Sequence, residues 1–126
     1  MALSTGSKNI NTDNMFNSPD GIGFDSRGGL WIQSDGNYSN KGDYEGQGNN
    51  SMLYADPQTG KVKRFLVGPI GCEITGLCFS TDKKTMFVGV QHPGEDSSGS
   101  HFPGTKDSIP RSSVIAVSKK DNQAFL

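Results

Sequence analysis

The sequence contains no run of apolar residues longer than a few positions, and hydrophobic residues make up only 32% of its 126. A membrane-spanning helix needs about 20 consecutive apolar residues, so none is expected. No charged start runs into an apolar segment, so no export signal is expected within the chain. Charge of one sign is also missing, because 12 Lys and Arg stand against 13 Asp and Glu for a net charge of -1. Nucleic acids and anionic membranes select basic patches, so neither is expected as the main partner. Cysteine is scarce. Cys72 and Cys78 have the spacing C-x5-C, which fits neither a zinc knuckle nor a redox pair. On one extended strand they would lie about 20 Å apart, beyond the roughly 7 Å between Cα atoms that a disulfide allows. Two free thiols are expected, with Cys78 in the core between Leu77 and Phe79. No stretch carries a sustained helical period with caps, so the chain reads as all-β.

What the chain has in quantity is glycine, 17 residues of it, placed between short alternating runs. Residues 1–16 are polar and Asn-rich and read as a poorly ordered lead-in, with Met15 and Phe16 as the first apolar anchor. Asn17-Ser18-Pro19-Asp20-Gly21 is a turn in which proline fixes φ and glycine accepts unusual dihedrals. Ile22 and Phe24 then alternate with Gly23 and Asp25, the period of a strand. Ser26-Arg27-Gly28-Gly29 turns the chain into a return strand, Leu30-Trp31-Ile32-Gln33. A long polar loop from Ser34 to Asn50 leads to a third strand, Met52-Leu53-Tyr54-Ala55. The turn Asp56-Pro57-Gln58-Thr59-Gly60 leads to a fourth, residues 61–67. After Gly68-Pro69-Ile70-Gly71 the same order begins again. Strands are expected at 73–79, 85–90 and 113–117, with a polar loop from Gln91 to Arg111.

The second half repeats the first. Gly21-Ile22-Gly23-Phe24 superimposes on Gly76-Leu77-Cys78-Phe79 at an offset of 55 residues, and with one extra turn residue Leu30-Trp31-Ile32 falls on Met86-Phe87-Val88. A repeated four-stranded antiparallel meander is the mark of β-propeller blades. The expected fold is therefore a partial propeller of about two blades. Residues 17–70 form the first, and residues 71–126 form a second whose outer strand is incomplete. A closed propeller needs at least about four blades, so missing blades or self-association should complete it.

Asp20 is the best single candidate for chemistry, a carboxylate held at the head of an inner strand by Pro19 and Gly21. A hard cation needs several converging oxygens, and Asp20 would supply one, although by pattern alone a turn aspartate bonding its own backbone explains it better. Thr75 is its counterpart one unit on, and Glu73, two residues earlier, lies on the same side of that strand. Asp35-Gly36-Asn37 begins like a calcium loop, but Asn40 and Gly46 stand where that loop needs Gly and Glu, so it reads as a glycine-rich surface loop. His92 and His101 share one loop and read as structural or surface residues more readily than as ligands. Cys72 as an iron thiolate and Arg111 as a phosphate fork are weaker candidates.

Asn17-Ser18-Pro19-Asp20-Gly21-Ile22, the run from Gly29 to Asn37, Gly46-Gln47-Gly48-Asn49-Asn50, Phe65-Leu66-Val67-Gly68-Pro69, Gly71-Cys72-Glu73-Ile74-Thr75-Gly76, the run from Phe87 to Glu95 and Pro110-Arg111-Ser112-Ser113 together resemble the C-terminal part of PhoX-type alkaline phosphatases. The resemblance runs from Met15 to about Val117. It implies a secreted or periplasmic metal-dependent phosphomonoesterase on a propeller, with calcium and iron at the axis and phosphate esters as substrates. Asp20 is then similar to a family metal ligand, with Glu73 beside it. The chain would supply part of the metal site and be inactive alone. The alternatives are a non-catalytic propeller that binds or scaffolds, and a calcium-dependent propeller of the lactonase kind.

Overall fold

The computed structural model describes residues 10–37, 41–95 and 99–125, and among them there is no α-helix. Seven strands form two antiparallel sheets. The first runs β1 (Pro19–Phe24), β2 (Leu30–Ser34), β3 (Ser51–Ala55) and β4 (Val62–Val67), and the second β5 (Glu73–Phe79), β6 (Thr85–Gln91) and β7 (Ser113–Ser118), each in simple meander order. The all-β expectation holds, and the arrangement is that of a partial propeller, one meander of four strands and one of three. A 3-10 turn at Gly42–Tyr44 lies in the loop between β2 and β3.

The turns form for the reasons their sequences suggest. Asp25 Oδ1 accepts from the backbone N–H of Arg27 and Gly29, at 2.9 and 2.8 Å, and Gly28 takes φ +81°. Asp56 accepts from Gln58 N–H and the Thr59 hydroxyl, and Asp82 from the Ser80 hydroxyl and Lys84 N–H. In each case a short acidic side chain replaces a missing backbone partner and closes the hairpin.

Register confirms the repeat residue by residue. Ile22, Gly23 and Phe24 pair with Ile32, Trp31 and Leu30, and Leu77, Cys78 and Phe79 pair in the same way with Val88, Phe87 and Met86. Each first strand also carries a bulge near its head, at Asp20 in β1 and at Gly76 in β5. Bulges of this kind redirect a side chain at the end of a sheet.

The sheets pack face to face around Trp31 and Met52 from the first and Ile74, Met86, Val88 and Val90 from the second, with Cys72 among them. The first strands meet closely. A Cβ on Gly23 would lie 3.0 Å from Leu77 Cδ2, and Gln33 Nε2 donates to Gly76 O at 3.3 Å. The far face of the first sheet is partly covered by Phe16, packed on Ile32 and Leu53.

One expectation lies partly outside the described residues, and another changes. The lead-in expected over residues 1–16 lies outside the described residues up to residue 9. From residue 10 on it turns at Asn11–Asn14 and is tied down by Arg64, whose guanidinium donates to the carbonyls of Met15 and Gln47 at 2.9 and 3.0 Å. Both cysteines are free thiols, but Cys78 is exposed and Cys72 is the buried one. Strand alternation explains the correction, because Leu77 and Phe79 face the core and the residue between them must face away.

Candidate metal centre

Antiparallel pairing brings four chemically active side chains to one end of the two sheets. Asp20 is at the head of β1. Asp35 follows directly on Ser34, which pairs with Pro19, and its N–H donates to Ser18 O at 3.0 Å. Glu73 opens β5 opposite Gln91, and His92 is the next residue after Gln91. Ligand atoms of Asp35, Glu73 and His92 all lie within 4.8 Å of one another. Asp20 stands at the edge of this triad, close enough for its charge to act on Glu73.

The backbone around the cluster is held by Asn50, itself buried. Asn50 Oδ1 accepts from Gly36 N–H at 2.7 Å and from the Ser34 hydroxyl at 3.1 Å. Asn50 Nδ2 donates to the carbonyls of Gly36 and Cys72 at 2.8 and 2.9 Å. Gly36 follows Asp35, and Cys72 precedes Glu73. One side chain therefore spaces the backbones of both acids.

Glu73 is only 7% exposed. Burial, followed by the negative charges of Asp35 and Asp20, raises its pKa above the ordinary carboxylate value, and the hydrogen bond from His92 offsets this in part. His92 Nε2 lies 3.4 Å from Glu73 Oε2, and Nδ1 lies 3.3 Å from Glu95 Oε2. The second approach is not aligned as a hydrogen bond, so Nδ1 is a buried ring nitrogen without one. The ring is aimed by its backbone, which sits at φ +36° with its N–H donating to Ser112 Oγ at 2.9 Å.

A pH prediction follows. A raised carboxylate pKa favours the protonated folded state, so its stabilising contribution is full below the ordinary carboxylate range and is lost as pH rises through the raised value. Glu73→Gln, permanently neutral, should therefore melt higher than the parent chain near neutral pH in metal-free buffer. The difference should vanish in acid. Thermal melts across pH check this, and equal melting of the two chains at neutral pH would disprove it.

Of the residues singled out from sequence, Glu73 sits in the cluster and Asp20 beside it. Asp35 and His92, read from sequence as loop residues, lie beside Glu73, a placement that carries no periodic signal. The signal available was positional, since the residue that closes a hairpin lies beside the residue that opened it. Part of the calcium-like loop after Asp35 lies outside the described residues. His101 is at the surface, its Nδ1 3.1 Å from Ser108 O. Cys72 faces the core, and burial pushes its thiol up to about 12, far from a thiolate. Arg111 is exposed, with its backbone N–H donating to Phe102 O.

Two carboxylates and an imidazole form a donor set that borderline metals such as iron accept, whereas calcium takes oxygens alone. Asp20 and the cluster carboxylates supply such oxygens. His92 Nε2 and the buried acid of Glu73 face each other at 3.4 Å with Asp35 beside them, an arrangement that fits a cation better than a bare protein surface does.

The family model for alkaline phosphatase PhoX matches residues 2–94. A solved structure, Pseudomonas fluorescens PhoX in complex with vanadate, a transition state analogue, is 59% identical with a TM-score of 0.82. The match covers 88% of this chain and 19% of that one, so the chain spans about a fifth of that protein's length. No curated protein sequence matches the chain.

Proposed function

This chain belongs to the alkaline phosphatase PhoX family, and we propose that it contributes Asp20, Asp35, Glu73 and His92 to the metal site of a phosphomonoesterase. The observation that carries the reading is the convergence of Asp35, Glu73 and His92 from two sheets within 4.8 Å, with the carboxylate of Glu73 buried. A buried acid surrounded by other negative charges is costly unless a cation is expected there. The metals in this reading are calcium and iron. Asp35, Glu73 and His92 would hold iron, and Asp20 with the neighbouring carboxylates would supply oxygens to calcium. When bound, such ions stabilise negative charge developing on a transferring phosphoryl group.

The chain's own residues do the rest. Asn50 fixes the distance between the acids, and Ser112 and Glu73 aim the imidazole of His92. Substrates are small phosphate esters, and the working protein is periplasmic or secreted. No helix among the described residues is long and apolar enough to cross a membrane. With about a fifth of its relative's length, the chain alone should turn over little substrate.

Calorimetric titration with calcium tests the site. The parent chain should bind saturably, and Asp20→Asn should weaken binding by at least about tenfold. No binding by the parent chain, or equal binding by the variant, rejects the site. Hydrolysis of p-nitrophenyl phosphate by the longer protein, supplied with calcium and iron, separates an enzyme from a non-catalytic scaffold. An inactive protein under those conditions rejects the phosphatase reading.

A further inference from the structure

His92 has two ring nitrogens, and the cluster can use only one of them. Nε2 faces the buried acid of Glu73 at 3.4 Å. Nδ1 points the other way, is buried, and lies 3.3 Å from Oε2 of Glu95. A neutral imidazole carries one proton, and a proton on Nε2 would occupy the lone pair that a cation needs. The acceptor beside Nδ1 decides which nitrogen holds it.

The chain builds that acceptor into a fixed turn. His92-Pro93-Gly94-Glu95 closes on itself, with Glu95 N–H donating to His92 O at 3.1 Å. The turn docks on the link between the two sheets. Gly94 N–H donates to Ile70 O at 2.9 Å, and Glu95 N–H also reaches Gly71 O at 3.3 Å. Gly94 takes φ +76°, and a Cβ there would meet Pro110 at 3.0 Å and Ser100 at 3.2 Å. Pro93 is buried, and His92 N–H is held by Ser112 Oγ at 2.9 Å. The backbone is thus clamped at both ends of the turn, and its three-residue spacing sets the acid beside the ring. The Glu95 side chain is 55% exposed. Its terminal torsion is soft, so a small rotation aligns the carboxylate with Nδ1 and leaves the fold untouched.

We propose that Glu95 is a positioning residue, accepting the Nδ1–H of His92 so that Nε2 meets the Asp35 and Glu73 carboxylates without a proton. Because Glu95 acts through His92, this role rests on the metal reading of the cluster. Glu73 does not compete for it, since in that reading Glu73 is itself a ligand. A carboxylate behind a ligating imidazole fixes its tautomer and orientation and raises its basicity.

Zinc binding tests the role, because zinc accepts imidazole nitrogen as iron does and, being diamagnetic, leaves ring resonances readable. The chain has only two histidines, and His101→Gln removes the other ring, which is at the surface. In that background, nitrogen magnetic resonance of the zinc-loaded chain should show the metal on Nε2 of His92 and the proton on Nδ1. By calorimetry, Glu95→Ala should weaken zinc binding by about tenfold or more, and its Nδ1 proton signal should be lost to exchange with water. Glu95→Gln, whose amide oxygen still accepts, should recover most of the affinity and the signal. Calcium takes oxygens alone and should bind all of these chains alike. Zinc held through Nδ1, equal zinc affinity in Glu95→Ala, no rescue by Glu95→Gln, or a matching loss of calcium affinity would overturn the role of Glu95 while leaving the metal site standing. A parent chain that takes calcium but no zinc would do the same, and one that takes neither would reject the site and this role together. Should Glu95→Ala lose its β-sheet circular dichroism, the ring resonances of the parent chain and of Glu95→Gln carry the test.

Discussion

Replacing Asn50 with aspartate should destabilise the chain by about 3 kcal/mol and weaken its calcium binding together. The substitution conserves shape but removes both donors. The carbonyls of Gly36 and Cys72 lose partners now at 2.8 and 2.9 Å. Each net hydrogen bond is worth about 1 kcal/mol, and a buried group left unpaired costs about 1–3 kcal/mol. The new carboxylate also sits near Asp35 and Glu73, where burial and like charge already oppose ionisation. Urea unfolding reads the stability, and calorimetry reads the calcium affinity. A midpoint unchanged from the parent chain would show that Asn50 is not the spacer between the two acids. A lower midpoint with calcium affinity intact would show that it supports the fold without positioning the site.

Trp31→Ala should cost about 4 kcal/mol, within the range for removing a large aromatic from a core. Trp31 is the only tryptophan in the chain and is 4% exposed. Its ring lies 4.8 Å from Tyr54, 4.9 Å from Phe65 and 6.2 Å from Phe79. The first two belong to its own sheet and the third to the other, so one side chain ties both sheets together. Phe125 extends the cluster, with ring centroids 6.2 Å from Phe65 and 6.1 Å from Phe79. A domain of this size is stable by only about 5–15 kcal/mol, so the variant should be partly unfolded in mild denaturant. Circular dichroism in urea is the measurement, because the variant has no tryptophan to report by fluorescence. A loss below about 1 kcal/mol would mean that the sheets are held together elsewhere.

Much of the fold can be read from the sequence because its signals are local. Apolar alternation marks β1, β5 and β6, and Asp25, Asp56 and Asp82 each sit in a turn they close by their own hydrogen bonds. The offset between Gly21-Ile22-Gly23-Phe24 and Gly76-Leu77-Cys78-Phe79 is the same in sequence and in register. The site was legible only in part. The repeat points to Glu73 and the rigid turn to Asp20, and the fold places both at the same end of the sheets. Asp35 and His92 read from sequence as loop residues, and only strand pairing brings them to Glu73. Pro19 opposite Ser34 and Glu73 opposite Gln91 decide which loop residues meet, and no periodicity encodes that. Cys78 was misplaced because its apolar neighbours outweighed the alternation that turns it outward. The bulges at Asp20 and Gly76 have no sequence mark beyond a permissive glycine.

The carboxylates and the imidazole sit where one meander meets the next, Asp20 and Asp35 on the first and Glu73 and His92 on the second. Gly23 lies directly against Leu77 along that seam, with no room for a Cβ to spare. A close-packed seam transmits strain, so a larger side chain at Gly23 should displace the ligand atoms of one sheet from those of the other without touching any of them.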